Sequence, residues 1–117
     1  MYYGALEAGG TKMVCAIGDA DKNIIDRISI PTGTPDQSVP VMIDYFKKYD
    51  ISALGIGTFG PADINPNSPT YGSIMRSPKK AWEGFSLYKA FTDALGCLVV
   101  VDTDVNAAAW GEYLYGA

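Results

Sequence analysis

The chain has 117 residues, of which 48% are hydrophobic and 19% are charged, and its formal net charge is −4 at pH 7. This composition is typical of one globular domain and excludes a disordered tail. The acidic balance offers no basic stripe for a nucleic-acid backbone, and no apolar run approaches the ~18 residues of a membrane-spanning helix. We therefore expect no nucleic-acid or membrane partner. An apolar run typical of a strand begins at residue 2, so we expect no signal peptide and a cytoplasmic location.

Two cysteines and the absence of histidine limit the chemistry of the chain. Cys15 lies in an apolar run, Cys97 precedes one, and the two form no CxxC pair, so both are predicted to be reduced core residues. Without histidine, acid–base chemistry within this chain falls to carboxylates.

Three short segments with strand patterns open the chain. Residues 2–6 and 13–17 are apolar and flank a Gly-Gly pair, and residues 24–30 alternate apolar and polar side chains after a turn at 21–23. These patterns predict three antiparallel strands, the first two joined by a glycine-rich loop.

An amphipathic helix is predicted between residues 35 and 50, where apolar residues recur at i, i+3, i+4 and i+7. Asp36 or Ser38 is its predicted N-cap, and Pro40 is expected in the first turn. Residues 53–57 then predict a buried strand. The long loop at 58–85, rich in Pro, Gly, Ser and Asn, is of a kind that is usually functional in a compact domain.

The last third of the chain predicts two more helices and one more strand. Ser86 is the predicted cap of a second helix that Gly96 ends, and residues 98–101 predict a buried strand. A third helix is predicted from Asp104 to residue 116. The order β-β-β-α-β-α-β-α predicts an α/β fold with a mixed five-stranded sheet.

Three predicted strand ends carry the candidate chemistry. In open α/β sheets, ligands collect beyond the carboxyl ends of parallel strands. The first strand ends at Glu7 and the glycine loop, the fourth at residues 57–61 (GTFGP), and the fifth at residues 102–104 (DTD). If these strands run parallel, the three ends share one cleft.

The first strand end, residues 7–12 (EAGGTK), suits a phosphate chain. Its two glycines let backbone N–H groups approach an anion, and Thr11 and Lys12 add a hydroxyl and a cation. A tight hairpin turn with a surface lysine is the alternative interpretation. The loop is not a Walker loop, because GxxxxGK[ST] is absent and no helix is predicted to follow.

The second strand end contains a GxGxxG match at residues 55–60 (GIGTFG). Pro61 and a long loop follow, where a dinucleotide-binding fold requires a helix, so we reject a dinucleotide site. The glycines instead let the chain leave the strand sharply and bring its backbone close to a ligand.

The third strand end offers Asp102 and Asp104 where a strand gives way to a helix. Either residue could be only the N-cap of that helix. Phosphoryl transfer to a sugar hydroxyl needs a carboxylate that accepts the hydroxyl proton while cations and backbone donors hold the phosphates. The glycine loop supplies the second half of this requirement, which makes a catalytic aspartate plausible here.

Taken together, these motifs resemble the ROK family of sugar kinases, within the actin-like and ribonuclease H-like ATPase superfamily. The resemblance rests on residues 7–12 (EAGGTK), 55–61 (GIGTFGP) and 102–112 (DTDVNAAAWGE), which occur in the family's order. It implies a ribonuclease H-like lobe, ATP and Mg²⁺ as cofactors, and a small-molecule sugar as substrate.

The resemblance also implies roles for individual residues. Asp104 would be the general base that activates the acceptor hydroxyl, and Glu7 would be the candidate contact for Mg²⁺. Cofactor binding would fall to Gly9, Gly10, Thr11 and Lys12. Sugar contacts would come from Gly60, Pro61, Thr103, Asn106, Lys79 and Trp82.

Three features are similar to the bacterial fructokinase branch of the family. Glu7 stands where the family commonly has Asp, and Thr103 where it commonly has Asn, which removes an amide that could hold a sugar hydroxyl. Residues 77–82 (SPKKAW) resemble the loop beside that branch's sugar pocket. Trp82 could stack on a sugar face or, with Phe85, fasten the loop to the core. Lys79 could be a solvated charge.

Members of the family carry a second lobe with the other phosphate loop, the adenosine pocket and a His/Cys zinc site. The resemblance therefore implies that residues 1–117 are an amino-terminal lobe whose carboxy-terminal lobe is absent from this chain. We expect this lobe alone to be inactive, any zinc to belong to the other lobe, and the full-length protein to be a homodimer. The expected reaction is ATP-dependent conversion of D-fructose to fructose 6-phosphate. Glucokinase or mannokinase activity, or the sugar-sensing lobe of a ROK repressor, are the alternatives.

Overall fold

The computed structural model of the chain describes residues 1–9, 11–21, 23–58, 63, 65, 67–74 and 80–103. Five strands have the bounds Tyr2–Ala8 (β1), Lys12–Asp19 (β2), Ile24–Pro31 (β3), Ala53–Thr58 (β4) and Leu98–Thr103 (β5). Two α-helices span Pro35–Lys47 (α1) and Leu87–Leu95 (α2), and a short 3₁₀ turn spans Lys80–Trp82. These elements follow the predicted order, and the predicted third helix lies outside the described residues.

The strands form one mixed sheet in the order β3-β2-β1-β4-β5. β1 pairs antiparallel with β2, and β2 with β3, as the two hairpins require. β1 and β4, and β4 and β5, pair in parallel across helical connections. The predicted mixed five-stranded sheet is confirmed, and so is the condition on which the shared cleft depends.

Both helices pack on one face of this sheet. The core there combines alternate strand residues such as Leu6, Ile56 and Val101 with Phe46 of α1 and Phe91 of α2, all of them buried. The two phenylalanine rings meet edge to face, with centroids 6.1 Å apart. Burying side chains of this size stabilises the fold by about 1.5–3 kcal/mol each, which holds the helices against the sheet.

The first helix begins earlier than its predicted caps. Thr34 is the N-cap and Pro35 the first helical residue, and the backbone N–H of Thr34 donates to Gln37 Oε1 at 3.0 Å. The predicted caps, Asp36 and Ser38, are therefore wrong, because Pro35 suits the first helical position and moves the start before them. The prediction that Pro40 lies in the first turn is also wrong, since Pro40 lies inside the helix.

The second helix has the predicted ends. The Ser86 side chain accepts a hydrogen bond from the Lys89 N–H at 3.1 Å. Gly96 ends the helix in the left-handed region at φ 65°, where glycine bears no steric cost. Neither described helix is long and apolar enough to cross a membrane.

The two cysteines are free thiols, as predicted. Cys15 is fully buried in the core and Cys97 is half-buried against it. Burial raises the pKa of the Cys15 thiol to about 12, so this residue is a packing element without thiolate reactivity.

Candidate functional site

The carboxyl ends of the three parallel strands lie side by side at one edge of the sheet. Ala8 of β1 is in register with Thr58 of β4, and Thr58 with Thr103 of β5. Because neighbouring strands are ~4.8 Å apart, the three ends span roughly 10 Å. The described residues thus bring together the three segments that the sequence singled out.

The glycine loop after β1 is a tight turn closed by its own backbone. The Gly9 N–H donates to the Lys12 carbonyl oxygen at 3.0 Å. A Cβ on Gly9 would lie 2.6 Å from that oxygen, closer than real Cβ atoms come to other atoms. Gly9 therefore serves the shape of the turn, and the exposed side chains of Thr11 and Lys12 are what the turn presents to solvent.

Thr32, which the sequence analysis did not identify, lies outside this turn and forms hydrogen bonds to it. The Thr32 hydroxyl donates to the Gly9 carbonyl at 2.8 Å, and the Thr32 N–H donates to the Thr11 carbonyl at 3.0 Å. Thr32 is only 9% exposed. Its one sequence signal is a threonine two residues after a predicted strand, which is too common a feature to identify its contact with Gly9, 23 residues away.

Glu7 is exposed on the strand that enters the turn, and it is in register with Gly57 and, through it, with Asp102. Among the described residues, no group of three or more His, Cys, Asp or Glu side chains is placed to hold a metal ion. Mg²⁺ commonly takes only one or two carboxylates and completes its shell with water and substrate phosphates. A single exposed carboxylate beside the turn is compatible with that mode of binding.

Several predicted site residues lie outside the described part of the chain. They are Gly10, Gly60, Pro61, Lys79, Asp104 and Asn106. Thr103 is described as the last residue of β5, and Asp104 follows it directly in the sequence. The structure therefore locates the strand end to which Asp104 is attached.

The loop after β4 is organised by Asp63, which sequence reasoning also missed. Its carboxylate accepts hydrogen bonds from the hydroxyls of Ser68 and Thr70 and from the Asn65 N–H. These bonds, first of all that from Ser68, lower the pKa of Asp63 below its ordinary value. The sequence signal was an aspartate followed by several Asn, Ser and Thr residues, a pattern typical of turns that bond their own backbone.

Tyr71 connects this loop to β5. Its hydroxyl accepts from the Val101 N–H at 2.9 Å and donates to the Val101 carbonyl at 3.3 Å. Val101 lies two residues before Thr103. The loop that follows one strand of the shared edge is thus bonded to the neighbouring strand of that edge.

Trp82 fastens the loop to the core, one of the two interpretations that the sequence left open. Its side chain is fully buried, its indole N–H donates to the Gly33 carbonyl at 2.7 Å, and its ring packs edge to face on Phe85 at 5.6 Å. No face of the ring is open to solvent among the described residues, which favours the fastening role, and a contact between Trp82 and a sugar stays a prediction.

A surface cavity of about 520 Å³ opens between this loop and α2. Its lining includes Tyr71, Tyr88 and Lys89, and it reaches β5 at Val99 and Val100. These strand residues lie before the carboxyl end of β5, so the cavity does not coincide with the strand ends that carry the predicted site.

The chain is similar to known proteins in sequence and in fold. A family model described as the ROK family matches residues 3–117. The chain is 46% identical over 113 residues to a putative fructokinase of Bacillus subtilis and 46% identical over 112 residues to a fructokinase of Lactococcus lactis. A glucokinase of Streptomyces coelicolor is 31% identical over 116 residues.

These alignments cover 97%, 96% and 95% of this chain but 38%, 39% and 35% of the relatives. The chain thus spans about two fifths of the length of the curated relatives it matches. Among solved structures, a ROK family glucokinase from Streptomyces griseus in complex with glucose and AMPPNP is similar with a TM-score of 0.68 and 26% identity. That match covers 100% of this chain and 38% of the other. The chain belongs to the ROK family, and its fold is the ribonuclease H-like fold of actin-like ATPases.

Proposed function

We propose that this chain forms the amino-terminal lobe of an ATP-dependent hexose kinase that converts D-fructose to fructose 6-phosphate. The observation that carries the proposal is the alignment of Ala8, Thr58 and Thr103 at one edge of the sheet. This edge joins the glycine turn, the loop after β4 and the segment that begins with Asp104. In open α/β sheets such an edge is where ligands bind.

The preference for fructose rests on the relatives. The two relatives named fructokinase are 46% identical to this chain, whereas the glucokinase of Streptomyces coelicolor is 31% identical. Glu7 and Thr103 agree with this choice, because they depart from the residues common in the rest of the family. We expect glucose and mannose to be poorer acceptors.

In this proposal Asp104 is the general base. Its carboxylate accepts the proton of the acceptor hydroxyl as the hydroxyl oxygen attacks the terminal phosphorus of ATP, whose bond to the bridging oxygen breaks to release ADP. Sugar contacts fall to the segments on either side of this base, with Gly60 and Pro61 after β4, Thr103 and Asn106 around Asp104, and Lys79 in the loop. Trp82 has a structural role in the same loop.

The donor phosphates are assigned to the glycine turn. Thr11 and Lys12 expose a hydroxyl and an ammonium group there, and Gly10 adds a further backbone group without a side chain. Glu7 is the candidate carboxylate for Mg²⁺, which would neutralise charge on the phosphates when bound. The glucokinase of Streptomyces griseus, which was solved with AMPPNP, supports ATP as donor.

One lobe cannot enclose both substrates or exclude water from the transferred phosphoryl group. We therefore propose that a carboxy-terminal lobe completes the site and that the 117-residue chain alone has negligible kinase activity. Detectable ATP-dependent fructose phosphorylation by the purified chain would contradict this proposal.

The substrate is tested with a panel of hexoses on the two-lobed protein. We expect kcat/KM with ATP and Mg²⁺ to be highest for fructose and lower for glucose and mannose. Equal values for glucose and fructose would overturn the assignment of the acceptor, while the assignment as a hexose kinase would stand.

The base is tested by Asp104→Asn in the same protein. Removing a general base costs about 10²–10⁴-fold in rate, so we expect kcat for fructose to fall by this amount with a smaller change in KM. Asp93→Asn, in the exposed part of α2, is the matched control and should leave kcat unchanged. An Asp104→Asn protein with the original kcat would rule out the proposed base.

A further inference from the structure

β5 is the last strand of the sheet order, so one of its sides has no strand partner among the residues that the structure describes. At Val101 this side is bonded to a single side chain. The Val101 N–H donates to the Tyr71 hydroxyl oxygen at 2.9 Å, and the same hydroxyl donates to the Val101 carbonyl at 3.3 Å. One phenol thus satisfies both the donor and the acceptor of a residue that is only 3% exposed.

Tyr71 is held both through the backbone of the residues next to it and through a contact of its ring. Its neighbour Gly72 donates its N–H to the Asp63 carbonyl at 2.7 Å, and the Asp63 N–H donates to the Ser73 carbonyl at 3.0 Å. On its other side the ring meets Tyr88 edge to face, with centroids 4.9 Å apart. The hydroxyl is therefore presented to β5 from a fixed position and not from a free loop.

This contact lies close to the proposed chemistry. Val101 precedes Thr103 by two residues, which is roughly 7 Å along a strand that rises ~3.3 Å per residue, and Asp104 follows Thr103 directly in the sequence. β4 pairs with one side of β5 as far as Thr103, and among the described residues no strand pairs with the other side, where the bonds of Tyr71 hold Val101. We propose that Tyr71 is a positioning residue that sets the place of Asp104 through β5, an inference that rests on the proposed function.

Loss of this hydroxyl has a specific expected signature. A misplacement of about 1 Å between reacting groups lowers catalysis by up to ~10²-fold. Because Asp104 acts on the sugar hydroxyl in the transition state, the loss falls on kcat. The glycine turn and its phosphate contacts lie on the other side of β4, and KM for ATP stays the same.

The test uses Tyr71→Phe in the two-lobed protein. The rate of fructose phosphorylation is measured and divided by the concentration of folded active sites. We expect kcat to fall about 10–100-fold with KM for ATP unchanged. Tyr88→Phe is the matched control, because it removes a hydroxyl from the adjacent ring and leaves both bonds to Val101 in place. An unchanged kcat in Tyr71→Phe, or an equal loss in Tyr88→Phe, overturns the inference.

A double-mutant cycle separates positioning from general destabilisation. If Tyr71 acts through Asp104, Tyr71→Phe has no further effect on kcat in an Asp104→Asn background. An equal loss in both backgrounds overturns the inference and leaves a structural role. If Asp104→Asn alone keeps the original kcat, the proposed base fails instead, so the two failures are distinguishable.

A second variant keeps the test decisive if Tyr71→Phe does not fold. Asp63→Asn keeps the Tyr71 hydroxyl but weakens the carboxylate bonds that order its loop, so Tyr71 is held less firmly. We expect a smaller fall in kcat, again with KM for ATP unchanged. A folded Asp63→Asn protein with the original kcat contradicts the inference.

Discussion

Two loops leave the shared edge of the sheet, and they are held by different means. The turn after β1 is short and closed by backbone bonds, with Gly9 bonded to Lys12 and Thr32 bonded to the turn from outside. The loop after β4 is long and is held by side chains, among them Trp82 and Tyr71, whose partners lie 49 and 30 residues away in the sequence. In the proposed function the turn brings its backbone near an anion, which excludes side chains, whereas the loop lies beside the sugar site and needs side chains to keep its shape.

This comparison predicts different consequences of mutation. A change in the short turn should act locally, because its bonds, including those from Thr32, all lie at one end of the β1–β2 hairpin. A change in the long loop should act on the whole lobe, because its side chains reach the core and the edge strand.

The largest effect is expected for Trp82→Ala. The change removes a fully buried ring and its bond to the Gly33 carbonyl, so we expect the free energy of unfolding to fall by about 3–5 kcal/mol. Urea unfolding of this chain measures it. Trp82→Phe keeps most of the buried ring and should cost less, about 1–2 kcal/mol. If Trp82→Ala were as stable as the original chain, side chains would not hold this loop.

A smaller effect is expected for Gly9→Ala. The new Cβ would lie 2.6 Å from the Lys12 carbonyl oxygen, so the turn must open at a cost of about 1–3 kcal/mol. Chemical-shift changes in the NMR spectrum should be confined to the turn and Thr32. Gly84→Ala is the control, because an added Cβ there meets nothing within 4 Å and any cost comes from its φ of 80°. Shifts that spread through α1 and α2 in Gly9→Ala would contradict a local role.

The smallest effect is expected for Asp63→Asn, and it depends on pH. Hydrogen bonds lower the pKa of Asp63 in the folded chain, so its carboxylate stabilises the fold above the unfolded pKa of about 3.9. That contribution is lost as the pH falls from there through the lowered folded pKa. We therefore expect Tm to fall less steeply below about pH 4 in Asp63→Asn than in the original chain. Parallel Tm curves for the two proteins would show that Asp63 does not order the loop through its charge.

Most elements of the lobe could be predicted from the sequence because their causes are local. Apolar periodicity identified all five strands and both described helices. Ser86 and Gly96 were recognised as helix ends because a cap bonds groups within three or four residues. The start of α1 was misplaced because Asp36 and Ser38 are also good caps. The helix starts before them because Pro35 occupies its first position and the Thr34 N–H donates to Gln37 Oε1.

The candidate site was predictable only in part. The motifs around Glu7, Gly57 and Thr103 were visible, since each follows an apolar run and contains glycines or acids. The contacts that hold those motifs were not visible. Thr32, Asp63 and Tyr71 are ordinary loop residues in the sequence, and two of them bond to partners more than 20 residues away.

The sequence by itself determined the strands and helices, the glycine turn and the acids near the end of the last strand, because these depend on side-chain periodicity and on backbone freedom at single residues. Only the tertiary structure decided that Ala8, Thr58 and Thr103 share one edge, that Trp82 points into the core and that Tyr71 holds β5. These outcomes depend on the packing of segments distant in the chain, whose hydrogen bonds form only when the sheet brings their partners within about 3 Å.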